Sequence, residues 1–303
     1  MHKEKLYPPI AMVKDFCSDT PEIFSIYDAA LEKHLSEVTE YDIAKVITKT
    51  IKRFADEHEA KDYIFNLMVL DEWRKSKQVY TFSPQLYQLI CEMDSDIVIE
   101  NTIFEYLPNR TFYIDLPENG AKIEGVFVKY FHDDINNVIV LIALYENCFH
   151  ATIAFGLDES DDLTFERFLK TISNNDLSEE TKSLFCFAFN ASLYLCSRNC
   201  DVKENRLQKD IYRPSRNIRD KFSEVRKWDV GYRISREKVN DTDLPHHVLP
   251  NENGRNRPRQ HIRRAHWHTY YVGKGRSRRE LRFIAPIIVN NIGDEMPVVV
   301  HKK

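Results

Sequence analysis

Residues 111–157 constrain the fold of this chain more than any other stretch. Four segments, Thr111 to Leu116, Ala121 to His132, Asn136 to Glu146 and His150 to Leu157, are rich in β-branched and aromatic residues. Pro117-Glu118-Asn119-Gly120, Asp133-Asp134 and Asn147 separate them. Short β-prone runs broken by turn residues read as consecutive antiparallel strands, so a four-strand meander is expected. The longest apolar run, Val138 to Tyr145, suits a buried strand. It falls far short of the roughly 18 consecutive apolar residues that a membrane-crossing helix needs.

Helical period flanks this sheet. Thr39, with Asp42 three residues on, resembles a helix N-cap, and Ile43, Val46, Ile47, Ile51 and Phe54 follow it at helical spacing. Tyr63, Ile64, Leu67 and Leu70 give a second stripe. Ser83-Pro84 opens a third helix, because proline suits the first helical position; its apolar face is Leu86, Leu89, Ile90 and Met93. After the meander, Leu163, Phe165, Phe168, Leu169 and Ile172 mark one helix. Another starts near Ser178, with Thr181 in its first turn, and runs through Leu184–Phe189 to Leu195. Being apolar on most sides, that helix is expected to be buried.

The two ends of the chain read differently. Residues 1–20, with Pro8-Pro9, are expected to be an irregular lead-in. From 199 to 262 the chain is polar and carries Arg213-Pro214, Pro245, Pro250, Asn253-Gly254 and Arg257-Pro258, which reads as an extended arm. Regular structure returns as a β-hairpin: Trp267 to Val272, a turn through Gly273-Lys274-Gly275, then Glu280 to Asn290. The expected fold class is α+β. It has an N-terminal helical region over 1–100, a central antiparallel sheet with helices over 101–198, the polar arm over 199–262, and a basic C-terminal β-hairpin over 263–303.

Charge is unevenly distributed. Residues 201–303 carry 24 Lys and Arg against 13 Asp and Glu, a net of +11, while residues 1–200 carry a net of −15. A basic terminal third on an acidic body suggests that one end meets an anionic partner; the alternative is that the two regions neutralise each other in the fold. The six cysteines form no Cys-x-x-Cys and are expected to be buried free thiols in a reducing compartment. No apolar signal-peptide core follows Met1-His2-Lys3-Glu4-Lys5, so a cytoplasmic location without membrane attachment is expected. Phosphate-loop, dinucleotide-binding and nucleophile-elbow motifs are absent, and no cofactor is expected.

The chemistry concentrates in Arg257 to Gly273, which packs basic side chains, His266-x-His268 and the aromatics Trp267, Tyr270 and Tyr271 together. On a strand, His266, His268 and Tyr270 share one face and Trp267, Thr269 and Tyr271 the other, with Arg282 on the returning strand. Four readings compete. The patch is an RNA or ribosome contact built of Arg263, Arg264, His266, His268, Tyr270 and Arg282, with aromatic stacking. Or it is structural, with Trp267 in the core and the arginines paired to the acidic body. Or His266 and His268 are the acid and base of a metal-independent nuclease. Or they begin a metal site, whose third ligand would have to come from His261, His246 or His247. No metal is expected, for want of an obvious third ligand.

The run His261-Ile262-Arg263-Arg264-Ala265-His266-Trp267-His268-Thr269-Tyr270-Tyr271-Val272-Gly273, followed by Arg282-Phe283, Pro286 and Val289-Asn290, resembles the end of a type V-A anti-CRISPR family. That family blocks biogenesis of the type V effector nuclease. Weaker echoes are Leu107-Pro108 before Tyr113-Ile114-Asp115, Gly125-Val126-Phe127 and Leu193-Tyr194-Leu195-Cys196. Ala265, Tyr271 and Phe283 stand where the family has Gly, Trp and Trp. The resemblance spans residues 100–290 and is specific in the last thirty. It implies recognition of the nascent N-terminal peptide of the type V CRISPR effector nuclease at the ribosome, followed by loss of its mRNA. A host ribonuclease is one agent of that loss. The implied chain is a binding or adaptor protein rather than a nuclease, with the peptide site unassigned. The alternative is an RNA-binding or metal-independent RNA-cleaving protein of another mobile-element system.

Overall fold

The run from Val138 to Tyr145 is apolar at consecutive positions rather than alternate ones, as a strand covered on both faces must be. The computed structural model shows that arrangement. It describes residues 7–21, 24, 48, 52, 57–93, 98–116, 123–132, 137–146, 150–157, 163–205, 225–234 and 261–289. In chain order the elements begin with α1 (Pro8–Asp19), α2 (Glu57–Ser76), β1 (Gln78–Phe82), α3 (Pro84–Cys91) and β2 (Val98–Ile99). A 3-10 helix (Asn101–Tyr106), β3 (Thr111–Asp115), β4 (Ile123–His132), β5 (Asn137–Tyr145) and β6 (His150–Gly156) follow. Then come β7 (Leu163–Thr164), α4 (Phe165–Ser173), α5 (Glu179–Cys196), β8 (Val202–Glu204) and β9 (Arg226–Val230). The C-terminal strands are β10 (His261–Arg263), β11 (His266–Val272), β12 (Arg278–Ile284) and β13 (Ile287–Val289).

Seven strands form one sheet in the order β6-β5-β4-β3-β1-β9-β8. Alternation along each strand divides the core in two. Tyr80, Phe82, Phe112, Ile114, Val126, Val128, Ile139 and Leu141 face α3, α4 and α5. Val79, Tyr113, Phe127, Val140, Ile142 and Leu144 face α1 and α2, where Trp73, Leu70, Met12 and Phe16 meet them. The molecule is thus a mixed sheet between two helical layers. One buried charge crosses the second interface: the Lys129 ammonium is paired with Glu72 of α2. Burial lowers the Lys129 pKa, against the opposing pull of that partner.

The β3–β6 meander is antiparallel, as expected. The whole sheet is mixed rather than antiparallel, because β1 runs parallel to both β3 and β9. A parallel pair joins segments far apart in sequence, so no local turn announces it. Ser83 caps α3 and Ser178 caps α5, each hydroxyl accepting from the backbone N–H three residues on. In the described part of the expected lead-in, residues 7–20, the chain is helical rather than irregular: Pro8 and Pro9 occupy the first turn of α1, where a missing N–H costs nothing. Nor is 199–262 wholly an arm, since β8 and β9 enter the main sheet. The helix expected over 39–54 lies outside the described residues, apart from Thr48 and Lys52. Among the described residues no helix is long and apolar enough to cross a membrane.

Gly125 in β4 sits directly against the Tyr113 ring and the Ile114 carbonyl, leaving no room for a Cβ. Gly125→Ala is expected to destabilise the fold by about 1–3 kcal/mol through overpacking, measured by urea or thermal unfolding.

Candidate functional site

The C-terminal hairpin is a two-stranded ribbon, a structure with little stability by itself. What holds it is α5, and Trp267 is the anchor. The indole is 7% exposed and its Nε1 donates to Asn190 Oδ1 at 3.1 Å. Phe283, directly across the ribbon from Trp267, lies edge-on to it at 5.5 Å and to Tyr194 at 5.3 Å. Just past the end of α5, Asn199 acts as a strand partner. Its Oδ1 accepts from the Phe283 N–H at 3.0 Å and its Nδ2 donates to the Phe283 carbonyl at 2.8 Å. The Arg198 N–H adds a bond to the Leu281 carbonyl at 3.0 Å.

With Trp267 turned inward, alternation turns His268 and Tyr270 outward, as the sequence predicts. His268 pairs in register with Arg282 and Tyr270 with Glu280. The His268 and Tyr270 rings meet edge-on at 4.4 Å, and the Arg282 guanidinium lies 5.0 Å from the Tyr270 ring centre. Arg282 and Arg278 both hold the Glu280 carboxylate, at 3.3 and 2.7 Å. Partial desolvation works to raise the Glu280 pKa. The hydrogen bond from Arg282 and the charge of both arginines outweigh it and hold the carboxyl below its usual range. Arg282 Nε has no hydrogen-bond partner among the described residues.

His266 is half-buried, with Nδ1 3.0 Å from the Arg264 carbonyl. Arg264 is also half-buried, between β10 and β11. Arg263 lies on β10, opposite Ile287 of β13. The structure therefore brings His268, Tyr270 and Arg282 together on one outward face, with His266 at its end and Arg263 and Arg264 on the approach to it. No three His, Cys, Asp or Glu side chains converge as metal ligands among the described residues.

Behind the ribbon lies a cleft that the sequence reading missed. Its volume is about 770 Å³ and it runs between β12, the end of α5, the 3-10 helix and the β1-β9-β8 side of the sheet. Tyr80 and Trp228 form an aromatic wall, nearly parallel with ring centres 6.2 Å apart. Trp228 Nε1 donates to Gln78 Oε1 at 2.8 Å, and Asn109 Nδ2 donates to the Tyr80 hydroxyl at 2.7 Å. Burial pushes the Tyr80 hydroxyl up to about 12, against the opposing hydrogen bond from Asn109. Arg198, Arg226, Arg278 and Arg279 stand around the cleft, Arg279 paired with Glu100 at 3.1 Å. The one available signal is Trp228 itself, a lone tryptophan in an otherwise polar stretch.

The profile of the AcrVA2-like family, the Anti-CRISPR type V subtype A2 family, matches residues 80–291. The chain belongs to this family. The match takes in the sheet from the middle of β1 onward, α5, the hairpin and the residues around the cleft except Gln78. A crystal structure of AcrVA2 is similar over 94% of this chain and 100% of that chain, with a TM-score of 0.56 and 17% identity. At that identity the likeness shows a shared fold, and it extends to the N-terminal helical layer that the family profile leaves out. No curated protein matches the sequence. This AcrVA2-like chain is an anti-CRISPR protein of the type V-A class.

Trp267→Ala is expected to cost about 3–5 kcal/mol, since it empties the ribbon's anchor site. Trp267→Phe keeps most of the packing but leaves Asn190 Oδ1 unpaired, and should cost about 1–3 kcal/mol. Chemical denaturation of both variants measures the difference.

Proposed function

We propose that this AcrVA2-like protein blocks production of a type V effector nuclease. It recognises the effector's N-terminal peptide as it leaves the ribosome and causes loss of the message being translated. The observation that carries this reading is the family's signature run at 261–290, together with the form it takes here. Its Trp is spent on anchoring, while its His, Tyr and Arg are presented to solvent.

The outward face suits RNA or ribosome contact. Arg282 supplies charge for phosphate, and Tyr270 and His268 supply rings on which unpaired bases stack. Arg264 and His266 extend the same surface, and Arg263 precedes them on β10. The chain acts as an adaptor, and a host ribonuclease cuts the message. The competing reading makes His266 and His268 an acid–base pair that cleaves RNA directly.

The double change His268→Ala, Tyr270→Ala should leave stability within about 0.5 kcal/mol of the parent, because both side chains lie on the outer face. Effector mRNA in cells should return towards its uninhibited level. Unchanged message loss would remove the hairpin face from the mechanism. Purified protein incubated with effector mRNA alone separates the two readings, since an adaptor leaves the RNA intact and a nuclease shortens it. Arg264→Ala should lower the log–log salt slope of RNA or ribosome binding by about one unit, if it contacts one phosphate.

A further inference from the structure

We propose that the cleft behind the hairpin is the peptide site, and that it takes a short segment carrying apolar or aromatic side chains beside a carboxylate. This inference rests on the nascent-peptide reading above and adds a location and a chemistry to it.

Three observations support it. The cleft, at about 770 Å³, falls in the roughly 300–1,000 Å³ range of ligand pockets. Its lining is mixed: Ile103, Leu195, Val202 and Leu281 add aliphatic surface to the Tyr80–Trp228 wall, Tyr106, 65% exposed, stands beside them, and polar side chains line the rest. Such surface suits amino-acid side chains. The third is charge. Arg198 and Arg226 are exposed at the cleft, and neither side chain has a partner among the described residues. They are placed to receive a carboxylate in a bidentate pair.

The aliphatic part of the lining, Ile103, Leu195, Val202 and Leu281, suits the side chains of a peptide better than a phosphate backbone. The outer face of the ribbon has the opposite balance, with stacking rings outward and few aliphatic side chains. The two surfaces therefore divide the work, the cleft reading the peptide and the outer face meeting RNA or ribosome.

The test is calorimetric titration of the full chain with a synthetic peptide of about the first dozen residues of the effector it inhibits. Arg198→Glu and Arg226→Glu should each weaken binding about tenfold or more, with thermal unfolding unchanged, since both side chains are exposed. A peptide whose acidic residues are replaced by their amides should bind the parent protein as weakly and be insensitive to Arg226→Glu. The His268→Ala, Tyr270→Ala variant should bind like the parent. Parent-like affinity in both cleft variants would overturn the cleft assignment while leaving nascent-peptide recognition standing. No binding of any effector peptide by the parent would instead remove the reading on which the assignment rests. Binding of polyuridylate that is lost in Arg226→Glu, without peptide binding, would make the cleft an RNA site and overturn the proposal.

Discussion

Helix α5 is buried almost throughout from Leu184 to Leu195, and every part of the functional region leans on it. One side packs on the sheet through Phe185, Phe187 and Phe189, with Phe189 stacked on Phe168 of α4 at 4.2 Å. Another receives the C-terminal ribbon. The Asn190–Trp267 hydrogen bond is the point where the two meet. A polar side chain in an apolar helix face is a cost unless it finds a partner. Asn190 finds two: its Nδ2 donates to the Cys186 carbonyl and its Oδ1 accepts from the indole N–H. That requirement selects one seating of the ribbon among the many that apolar contact alone would tolerate. The Asn199 clasp on Phe283 then fixes its height along the helix axis.

Because β12 belongs both to the outer face and to the cleft wall, that seating decides both surfaces at once. Arg282 and Glu280 take their positions from the same two anchors that place Leu281 and Arg279 in the cleft. The charge balance is more local than the net +11 of the C-terminal third suggests. Arg278 and Arg282 are bound to Glu280 on their own strand, and Arg279 to Glu100 of the body. Of the competing readings of the basic patch, the structural one thus holds for Trp267 and for part of the arginine set. The outward rings, with the one positive charge that Arg278 and Arg282 leave over after Glu280, are the portion proposed for recognition.

The legible parts were those with local causes. The meander strands lie within a residue or two of their sequence limits, because turn residues bound them on both sides. Ser83 and Ser178 announced their helices, since a cap is read from adjacent residues. The alternation of His266, His268 and Tyr270 against Trp267 followed from strand geometry alone. What escaped depends on distant partners. The strand β1 is five residues between two helices, and its neighbours β3 and β9 come from residues 111–115 and 226–230. In β8 and β9 a few polar-looking residues pair only with each other and with β1, so no periodicity marks them. The cleft is drawn from residues 78 to 281, and its chemistry exists only after folding. Pro8-Pro9 misled because proline is a breaker inside a helix and an opener at its start.

The central claim is that recognition acts on a nascent chain, with RNA contact secondary to it. The most direct measurement is to capture tagged protein from cells translating the effector and sequence the RNA that comes with it, with and without puromycin to release nascent chains. The account predicts one dominant message, that of the effector, lost on puromycin treatment. A broad RNA spectrum that puromycin leaves unchanged would contradict it.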